Sequence, residues 1–369
     1  MKTILAIVIP LAVLALLLAS MWYVAYRLRV LFGLEGRWPL RVGVAVVVIG
    51  GAVAVLGTAK LASPLVGVLN VLGGYVFIFY FFLLLALLGL HALQLKWRLP
   101  LMGSGVACLA VALAVTVSGA LWANSFTVTE TEIRLPGLER ELTVMHISDV
   151  HLGHHRGRAY LERIIEETNR RKPDLVLITG DLVDSRAALE PGVLEPLSRF
   201  VAPAFFVGGN HEKYVDPQRA FELIAAHGVR VLHNEVALIH GLQLVGLDYM
   251  NADEDTFDMH PSDDKRTIKS VLASLALKSD VPSVLIHHSP VGARYVAAKG
   301  IGLMVSGHTH AGQVFPITLF ARWVFPFNRG LHQEGATAVF VSQGAGTFMP
   351  RVRLGSSNEL SLLHLKPAR

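Results

Sequence analysis

Long apolar segments are confined to the first third of the chain. Four runs contain no Asp, Glu, Lys or Arg, and they occupy residues 4–26, 42–59, 65–90 and 100–122. Each run is close to the ~20 residues that a helix needs to cross ~30 Å of hydrocarbon. The first run is longer than the apolar part of a signal peptide, so we expect it to be retained. The sequence predicts a membrane anchor of about four helices in residues 1–123 and a second domain in residues 124–369.

The uncharged runs argue against transport by the membrane helices themselves. Transporters usually keep ionisable side chains at mid-depth in the membrane, and none of the four runs has a carboxylate, Lys or Arg there. Cys108, the single cysteine, lies in the fourth run, so no disulfide can form within the chain. An anchor is therefore the favoured role, and a small apolar ligand between the helices is the alternative.

Charge divides the chain at the same place. Residues 1–123 hold eight of the 33 Lys and Arg but one of the 28 Asp and Glu, a net charge of +7. The remainder holds 25 basic and 27 acidic residues, a net charge of −2. The second domain therefore lacks the basic surface that binding to a nucleic-acid backbone requires. We expect no nucleic-acid partner.

The basic residues of the anchor also predict its orientation. Four arginines lie between the first and second runs, and Lys96 and Arg98 lie between the third and fourth. Loops rich in Lys and Arg tend to stay in the cytoplasm. We predict a multi-pass protein of the cell inner membrane whose second domain is periplasmic or otherwise extracytoplasmic.

Beyond residue 123, short β-rich runs alternate with amphipathic segments. Buried strands are predicted at Leu142–Ile147, Leu175–Thr179, Ala204–Val207, Val284–Ile286 and Leu303–Val305. Further strands are predicted at Val229–Leu232, Leu238–His240, Leu242–Gly246, Ala336–Val341 and Leu360–Leu365. Helices are predicted at Ala159–Arg171, Pro217–His227 and Lys265–Lys278. This alternation predicts a layered α/β core, in which ligands gather beyond the carboxyl ends of the strands.

Polar motifs follow several of these strands. They are Asp149-x-His151, Gly180-Asp181, Gly209-Asn210-His211-Glu212, His288-x-Pro290 and Gly307-His308-x-His310. Carboxylate, amide and imidazole groups in this order are suited to binding two metal ions. The ordered set resembles the calcineurin-like metallophosphoesterase superfamily, and the form of Ser306–Gln313 is similar to its bacterial membrane-anchored members. The resemblance covers roughly residues 140–367.

The resemblance implies a four-layer α-β-β-α sandwich with a binuclear metal centre. It assigns Asp149, His151, Asp181 and His310 to one ion, and Asp181, Asn210, His288 and His308 to the other. Two such ions can lower the pKa of a bridging water, so we expect a metal-bridging hydroxide to attack a phosphomonoester or phosphodiester. The donor set contains no thiolate and fits Mn, Fe, Zn or Co, of which we rank Mn first.

His211 is the predicted catalytic residue. It lies beside Asn210, and its N–H can stabilise the transferring phosphoryl group or protonate the leaving oxygen. His287 competes with His288 as a metal ligand, although the H-x-P pattern favours His288. Glu212 is interpreted as a residue that orients His211 or its loop.

Other polar residues receive structural interpretations. Asp184, three residues after Asp181, is interpreted as a turn or helix-cap residue, and His154 and His155 as solvated loop histidines. The acidic stretch Asn251–Asp264 is interpreted as a solvated loop, because its spacing does not match a calcium-binding EF-hand.

The segment Phe315–Asn328 bears on the substrate. It carries four Phe and one Trp, with Arg322 among them and Arg329 next to it. It either packs in the core or forms a lip at the membrane interface, where aromatic rings lie at headgroup depth and arginines meet phosphate. The lip favours phospholipids or other lipid-linked phosphates as substrates.

Two functions from other classes compete with hydrolysis. The second domain could be a catalytically silent scaffold, or it could regulate a membrane sensor or transporter. The complete ligand set argues against the scaffold, and the uncharged membrane runs argue against the sensor or transporter.

Overall fold

Three long helices precede the second domain. The computed structural model describes residues 2–36, 41, 43, 63–256, 258 and 260–368. Within them, α1 spans Lys2–Phe32, α2 spans Pro64–Gln94 and α3 spans Leu101–Trp122, and each is long and apolar enough to cross a membrane. These helices agree with the first, third and fourth predicted runs. The second predicted run, residues 42–59, lies outside the described residues.

α1 and α2 run parallel to each other, and α3 runs antiparallel to both. The Arg27 side chain of α1 donates to the Gln94 side chain at the end of α2, and Phe32 of α1 contacts Gly105 near the start of α3. At the other end of α3, Gly119 accepts a hydrogen bond from the backbone N–H of Arg353. The second domain therefore meets the carboxyl end of α3, and the loop between α2 and α3 lies at the opposite end of the helices.

Two six-stranded sheets form the second domain. The first has the order β1-β12-β2-β3-β4-β5. Its strands are β1 (Thr127–Leu135), β2 (Leu142–Ile147), β3 (Leu175–Thr179), β4 (Ala204–Val207), β5 (Arg230–Val231) and β12 (Glu359–Pro367). The second has the order β10-β11-β9-β8-β7-β6. Its strands are β6 (Glu235–Ile239), β7 (Leu242–Gly246), β8 (Ser283–Ile286), β9 (Leu303–Ser306), β10 (Gly330–Glu334) and β11 (Thr337–Val341).

Helices cover the outer faces of both sheets. On the first sheet they are α4 (Arg158–Arg171), α5 (Asn210–Val215) and α6 (Pro217–Ala226), and on the second they are α7 (Ile268–Ser274) and α8 (Ala293–Ala298). A further helix, α9 (Ile317–Val324), packs on Gly312 in the loop after β9. The expected strands and helices are present, with ends that differ by a few residues. β1, β10, α5, α8 and α9 are additional to those expected from periodicity, which is weak in short elements.

Alternating side chains divide the apolar core into layers. In β2, Met145 and Ile147 pack against α4 and α6, whereas Leu142 and Val144 face the second sheet. A third cluster packs the outer face of the second sheet against α7 and α8. Because strand side chains alternate between faces, each sheet contributes to two apolar layers. The predicted α-β-β-α sandwich is confirmed.

Candidate metal centre

The ligand-type residues lie just beyond the carboxyl ends of five strands. Asp149 follows β2, Asp181 follows β3, Asn210 follows β4, His288 follows β8 and His308 follows β9. β2, β3 and β4 run parallel to one another, as do β8 and β9, so within each sheet these ends share an edge. Backbone hydrogen bonds join the loops, from Asp149 N to Gly180 O at 3.1 Å and from His151 N to Asp181 O at 3.0 Å.

Five of the residues predicted as metal ligands have a left-handed backbone. The φ angles of Asp149, His151, Asp181, His308 and His310 lie between 48° and 72°. Non-glycine residues adopt this conformation at an energetic cost, and such residues cluster at functional sites. The surrounding loops hold them in place, as in the hydrogen bond of 2.7 Å from Gly346 N to Asp149 O.

The first group of ligand-type side chains contains Asp149, His151 and His310. Nε2 of His310 lies 3.4 Å from Oδ1 of Asp149 and 3.0 Å from Nε2 of His151. All three side chains are buried. Nδ1 of His151 lies 3.2 Å from Oδ1 of Asp184 and can donate to it. That bond leaves the Nε2 lone pair of His151 directed at the group.

The second group contains Asp181, His288 and His308. Nε2 of His288 lies 3.2 Å from Oδ2 of Asp181 and 3.0 Å from Nδ1 of His308. Nδ1 of His288 donates to the Thr179 carbonyl at 2.7 Å, so its Nε2 faces the group. Oδ2 of Asp181 is also 3.8 Å from Nε2 of His151, which brings this carboxylate between the two groups.

Two buried atoms at the centre have no partner among the described residues. They are Oδ1 of Asn210 and Nε2 of His308. Buried polar atoms are normally paired, so each unpaired atom needs an explanation. Both atoms can ligate a divalent metal ion, and together with the carboxylates and imidazoles they fit a pair of such ions.

Opposite charges shift the pKa values of the centre. Burial alone would raise the pKa of Asp181, but nearby His288 and His211 hold it well below its usual value. Burial likewise opposes protonation of His288, yet Asp181 raises the pKa of His288 to about 10. Positive charge is therefore favoured beside Asp181. Either protonated histidines or bound metal ions can supply it.

His211 and Asp184 form a pair beside the two groups. Nδ1 of His211 lies 2.7 Å from Oδ1 of Asp184, and its Nε2 lies 3.9 Å from Oδ2 of Asp181. Burial would lower the pKa of His211, but Asp181 and Asp184 raise it to about 9. The interpretation of Asp184 as a turn or cap residue was wrong, because its carboxylate contacts His211 and His151 instead. The signal in the sequence that could have indicated this role was the spacing of three residues between Asp181 and Asp184.

Glu212 fixes the loop that carries His211. Its fully buried carboxylate accepts backbone N–H bonds from Asp181 at 3.0 Å, Val183 at 2.9 Å and Gly209 at 2.7 Å. Burial and the charge of Asp181 raise the pKa of Glu212. Glu212 therefore joins the β3 and β4 loops.

His287 and His288 point in different directions. Nδ1 of His287 donates to the Ser289 carbonyl at 2.7 Å, and its ring stacks on Tyr249. His288 alone of the two contacts Asp181. The solvated interpretation of His154 and His155 was wrong: His155 is 9% exposed, and His154 packs against Gly67 of α2.

Arg353 is a buried residue of the centre that sequence reasoning missed. Its Nη1 donates to the His310 carbonyl at 2.9 Å, and its Nη2 donates to the Gln343 and Gly346 carbonyls, each at 2.6 Å. The backbone N–H of the same residue donates to Gly119 of α3 at 3.1 Å. Arg353 thus links a membrane helix to His310. No sequence pattern distinguished it from a surface arginine.

The segment Phe315–Asn328 divides between two environments. Trp323 of α9 is 83% exposed, and Phe315 and Phe320 are also exposed. The Phe325 ring instead lies 5.9 Å from the His308 ring, and Phe327 packs on the outer core of the second sheet. The segment is therefore partly an exposed apolar surface and partly core.

Comparison with known proteins follows this geometry. The family model described as calcineurin-like phosphoesterase matches residues 142–312. A transmembrane protein with metallophosphoesterase domain from Bos taurus is 33% identical over 65% of this chain and 57% of its own length. An uncharacterized metallophosphoesterase from Helicobacter pylori is 32% identical over 65% of this chain and 64% of its own length.

A third relative is matched over most of its length. This uncharacterized metallophosphoesterase from Aquifex aeolicus is 30% identical over 61% of this chain and 85% of its own length. The chain spans a smaller share, 55% to 64%, of the first three curated relatives. The family match covers β2 to β9 and every ligand-type residue described above. This chain belongs to the calcineurin-like phosphoesterase family.

Proposed function

We propose that this protein is a membrane-anchored hydrolase that uses two divalent metal ions to cleave phosphomonoesters or phosphodiesters. The observation that carries the proposal is the proximity of two buried ligand groups, Asp149–His151–His310 and Asp181–His288–His308, at the carboxyl ends of the strands. Asn210 would complete the second group, since its Oδ1 has no partner among the described residues.

The side chains would hold the ions without a thiolate. Asp149, His151, Asp181 and His310 would bind one ion, and Asp181, Asn210, His288 and His308 would bind the other. Ions bound in this way polarise a phosphoester and lower the pKa of an attacking water. Mn is the first choice, and Fe, Zn and Co suit the same donor set.

His211 would act on the reacting phosphate. Its raised pKa, about 9, keeps the ring protonated near neutral pH. The protonated ring can donate to the phosphoryl oxygens or give a proton to the leaving oxygen. Asp184 would position this ring, because it holds Nδ1 and thereby directs Nε2 toward Asp181.

A lipid-linked phosphate is the substrate that we favour. The exposed apolar residues of α9 directly precede Phe325, whose ring lies against His308. Trp and Phe at such a surface suit insertion at headgroup depth. A phospholipid headgroup at the membrane surface would then lie near the metal centre.

We further propose that the second domain is extracytoplasmic. The loop that holds Lys96 and Arg98 lies at the end of α2 and α3 away from the second domain, and positive loops favour the cytoplasm. Cys108 is the single cysteine, so a Cys108→Ala, Ser279→Cys protein carries one thiol, on the exposed turn before β8. An impermeant maleimide should label it in intact cells. Labelling only after lysis would reverse the orientation.

The central experiment combines metal analysis with a substrate screen. The full chain is purified in detergent, stripped with a chelator and reloaded with Mn, Fe, Zn or Co. We expect about two ions per chain and hydrolysis of aryl phosphates, with phospholipids and lipid pyrophosphates tested beside nucleotides. Asp181→Asn should lose both metal and activity, whereas Asp280→Asn, an exposed loop variant, should keep both. A failure to hydrolyse any ester with any of the metals would overturn the proposal.

A further inference from the structure

Four basic side chains gather where the second domain meets the membrane helices. His154, His155 and Arg156 follow one another in the loop after β2, and Arg351 acts electrostatically on both His155 and Arg156. We call these four residues the basic cluster. Neither arginine forms an ion pair with any described residue, and Arg351 makes no hydrogen bond within the described part of the chain.

Several nitrogen atoms of the basic cluster are buried without partners. They are Nε2 of His154, Nδ1 of His155, Nε of Arg156 and Nε of Arg351. His155 is 9% exposed and Arg156 is 4% exposed. Burial lowers the pKa of His155 to about 4, with Arg351 and Arg156 adding to the effect and Asp184 opposing it. Because unpaired buried donors are costly, this concentration of them points to a missing anion.

The carboxylate that acts on His155 does not neutralise the cluster. Asp184 is committed to His211 and His151, at 2.7 Å and 3.2 Å from its Oδ1. Arg156 is partly used as well, since its Nη2 donates to the Ala123 carbonyl at 2.7 Å and its guanidinium lies 4.6 Å from the Tyr160 ring. Arg351 and the two histidines therefore remain to contact a ligand.

The basic cluster lies against the membrane helices. Nδ1 of His154 is 2.9 Å from the position that a Cβ on Gly67 would take, and Pro350 packs in the same way on Gly74. Both glycines belong to α2. Val352, the neighbour of Arg351, packs on Gly119 near the end of α3. Because these three glycines have no side chains, the loops that carry the basic cluster can pack directly on the helix backbones.

Helix length gives the depth of the cluster in the membrane. α2 has 31 residues, more than the ~20 that cross the hydrocarbon. Counting ~20 residues back from its carboxyl end, Gln94, reaches the opposite boundary close to Gly74. α3 ends at Trp122, a residue type common at that boundary. Gly67, His154 and Arg351 would then lie at the level of the lipid headgroups.

We propose that His154, His155 and Arg351, with the charge of Arg156 behind them, bind the phosphate of an anionic phospholipid headgroup. Guanidinium and imidazole donors bind phosphate oxygens strongly where water is scarce. The site lies against α2 through His154, and none of its residues belongs to the two ligand groups of the metal centre. This inference rests on the proposed membrane-spanning role of α2 and α3 but not on phosphoester hydrolysis.

Lipid retention by metal-stripped protein tests the inference independently of catalysis. The full chain is reconstituted in nanodiscs of phosphatidylcholine with a minor fraction of phosphatidylglycerol, released, and analysed by native mass spectrometry. We expect preferential retention of one phosphatidylglycerol. Arg351→Gln and, separately, His154→Gln should reduce that preference, by about fivefold for the arginine. Arg134→Gln, which removes an exposed arginine from β1, should retain the lipid like the unchanged protein.

Each outcome of the retention experiment decides for or against the site. Equal retention of the two lipids by the unchanged protein overturns the proposal. Equal losses in the Arg351 and Arg134 variants would mean diffuse surface attraction and would also overturn it. Inorganic phosphate is added in a separate arm, and displacement of the lipid by millimolar phosphate would indicate a site for a free anion instead.

Discussion

Nδ1 of His211 lies 2.7 Å from Oδ1 of Asp184, and the same oxygen lies 3.2 Å from Nδ1 of His151. One carboxylate therefore orients both the proposed proton donor and a proposed metal ligand. A histidine that donates a proton needs such a partner, because the carboxylate accepts the N–H that faces away from the substrate and stabilises the protonated ring.

Replacement of His211 by Ala should separate catalysis from metal binding. We expect the variant to keep its metal content but to lose about 10²- to 10⁴-fold in turnover, the usual contribution of a positioned acid or base. Metal analysis and hydrolysis of an aryl phosphate measure the two properties. His240→Ala, in an exposed turn, is the matched control. Full turnover by His211→Ala would remove His211 from the mechanism.

The His211–Asp184 pair should make the metal-free protein sensitive to alkali. The pKa of His211 is about 9 in the folded protein and ~6.5 in an unfolded chain. Because the folded value is higher, the stabilisation is complete below pH ~6.5 and is lost as the pH rises toward about 9. Asp184→Asn should flatten this part of the melting-temperature profile of chelated protein. His288 contributes equally to the profiles of the unchanged protein and of Asp184→Asn, so a difference between the two profiles reports the titration of His211. Superimposable profiles would contradict the pairing of His211 with Asp184.

Glu212→Gln should destabilise the loops of the metal centre. The amide has one oxygen where the carboxylate has two, so its NH₂ would face either the backbone N–H of Val183 or those of Asp181 and Gly209. We expect a loss of about 1–3 kcal/mol in unfolding free energy and weaker metal binding. Denaturant unfolding and metal titration measure these. Glu222→Gln, exposed on α6, should change neither, and stability equal to that of the unchanged protein would refute the role of Glu212.

Trp323 and Phe325 should respond differently to the form of the substrate. Trp323 is 83% exposed, so Trp323→Ala should reduce hydrolysis of vesicle lipids but not of a soluble aryl ester. Phe325 packs on His308, so Phe325→Ala should reduce both. Leu238→Ala, an exposed residue of β6, is the control for a lost apolar side chain. Equal effects of Trp323→Ala on both substrates would argue against insertion in the membrane.

Gly119→Ala should disturb the metal centre from within a membrane helix. A Cβ at this position would lie 2.7 Å from Cγ1 of Val352 and 3.1 Å from the Arg353 carbonyl. We expect a lower melting temperature in detergent and slower ester hydrolysis, because Arg353 also contacts His310. Gly89→Ala on α2 meets open space and should have neither effect. A normal melting temperature for Gly119→Ala would show that the contact between helix and domain is not needed.

The sequence predicted much of this architecture because strong periodic patterns are local. The strands Leu142–Ile147, Leu175–Thr179 and Ala204–Val207 have the predicted ends, since each is a largely buried run bounded by polar residues, Gly or Pro. β1 was missed because Thr and Glu alternate along it, and only its pairing with the carboxyl-terminal strand makes it part of a sheet. Its position depends on a contact across more than 200 residues.

The candidate site was predictable where its residues form motifs and unpredictable where they act through space. Asp149 to His310 occur as short ordered motifs whose chemistry can be recognised. Arg353, by contrast, matters because its guanidinium reaches four loop carbonyls and its backbone reaches α3. The surroundings of His154 likewise include Gly67 of α2, more than 80 residues away along the chain.

The position of β12 has a consequence for biogenesis. This strand, Glu359–Pro367, lies between β1 and β2, parallel to the first and antiparallel to the second. During synthesis, β1 emerges directly after α3, yet its neighbour in the sheet is made more than 200 residues later. The first sheet therefore cannot close until β12 has been made, and until then β1 and β2 have exposed edges that can pair wrongly. A ribosome that stalls before β12 would leave an anchored chain with an open sheet, a natural target for membrane proteases.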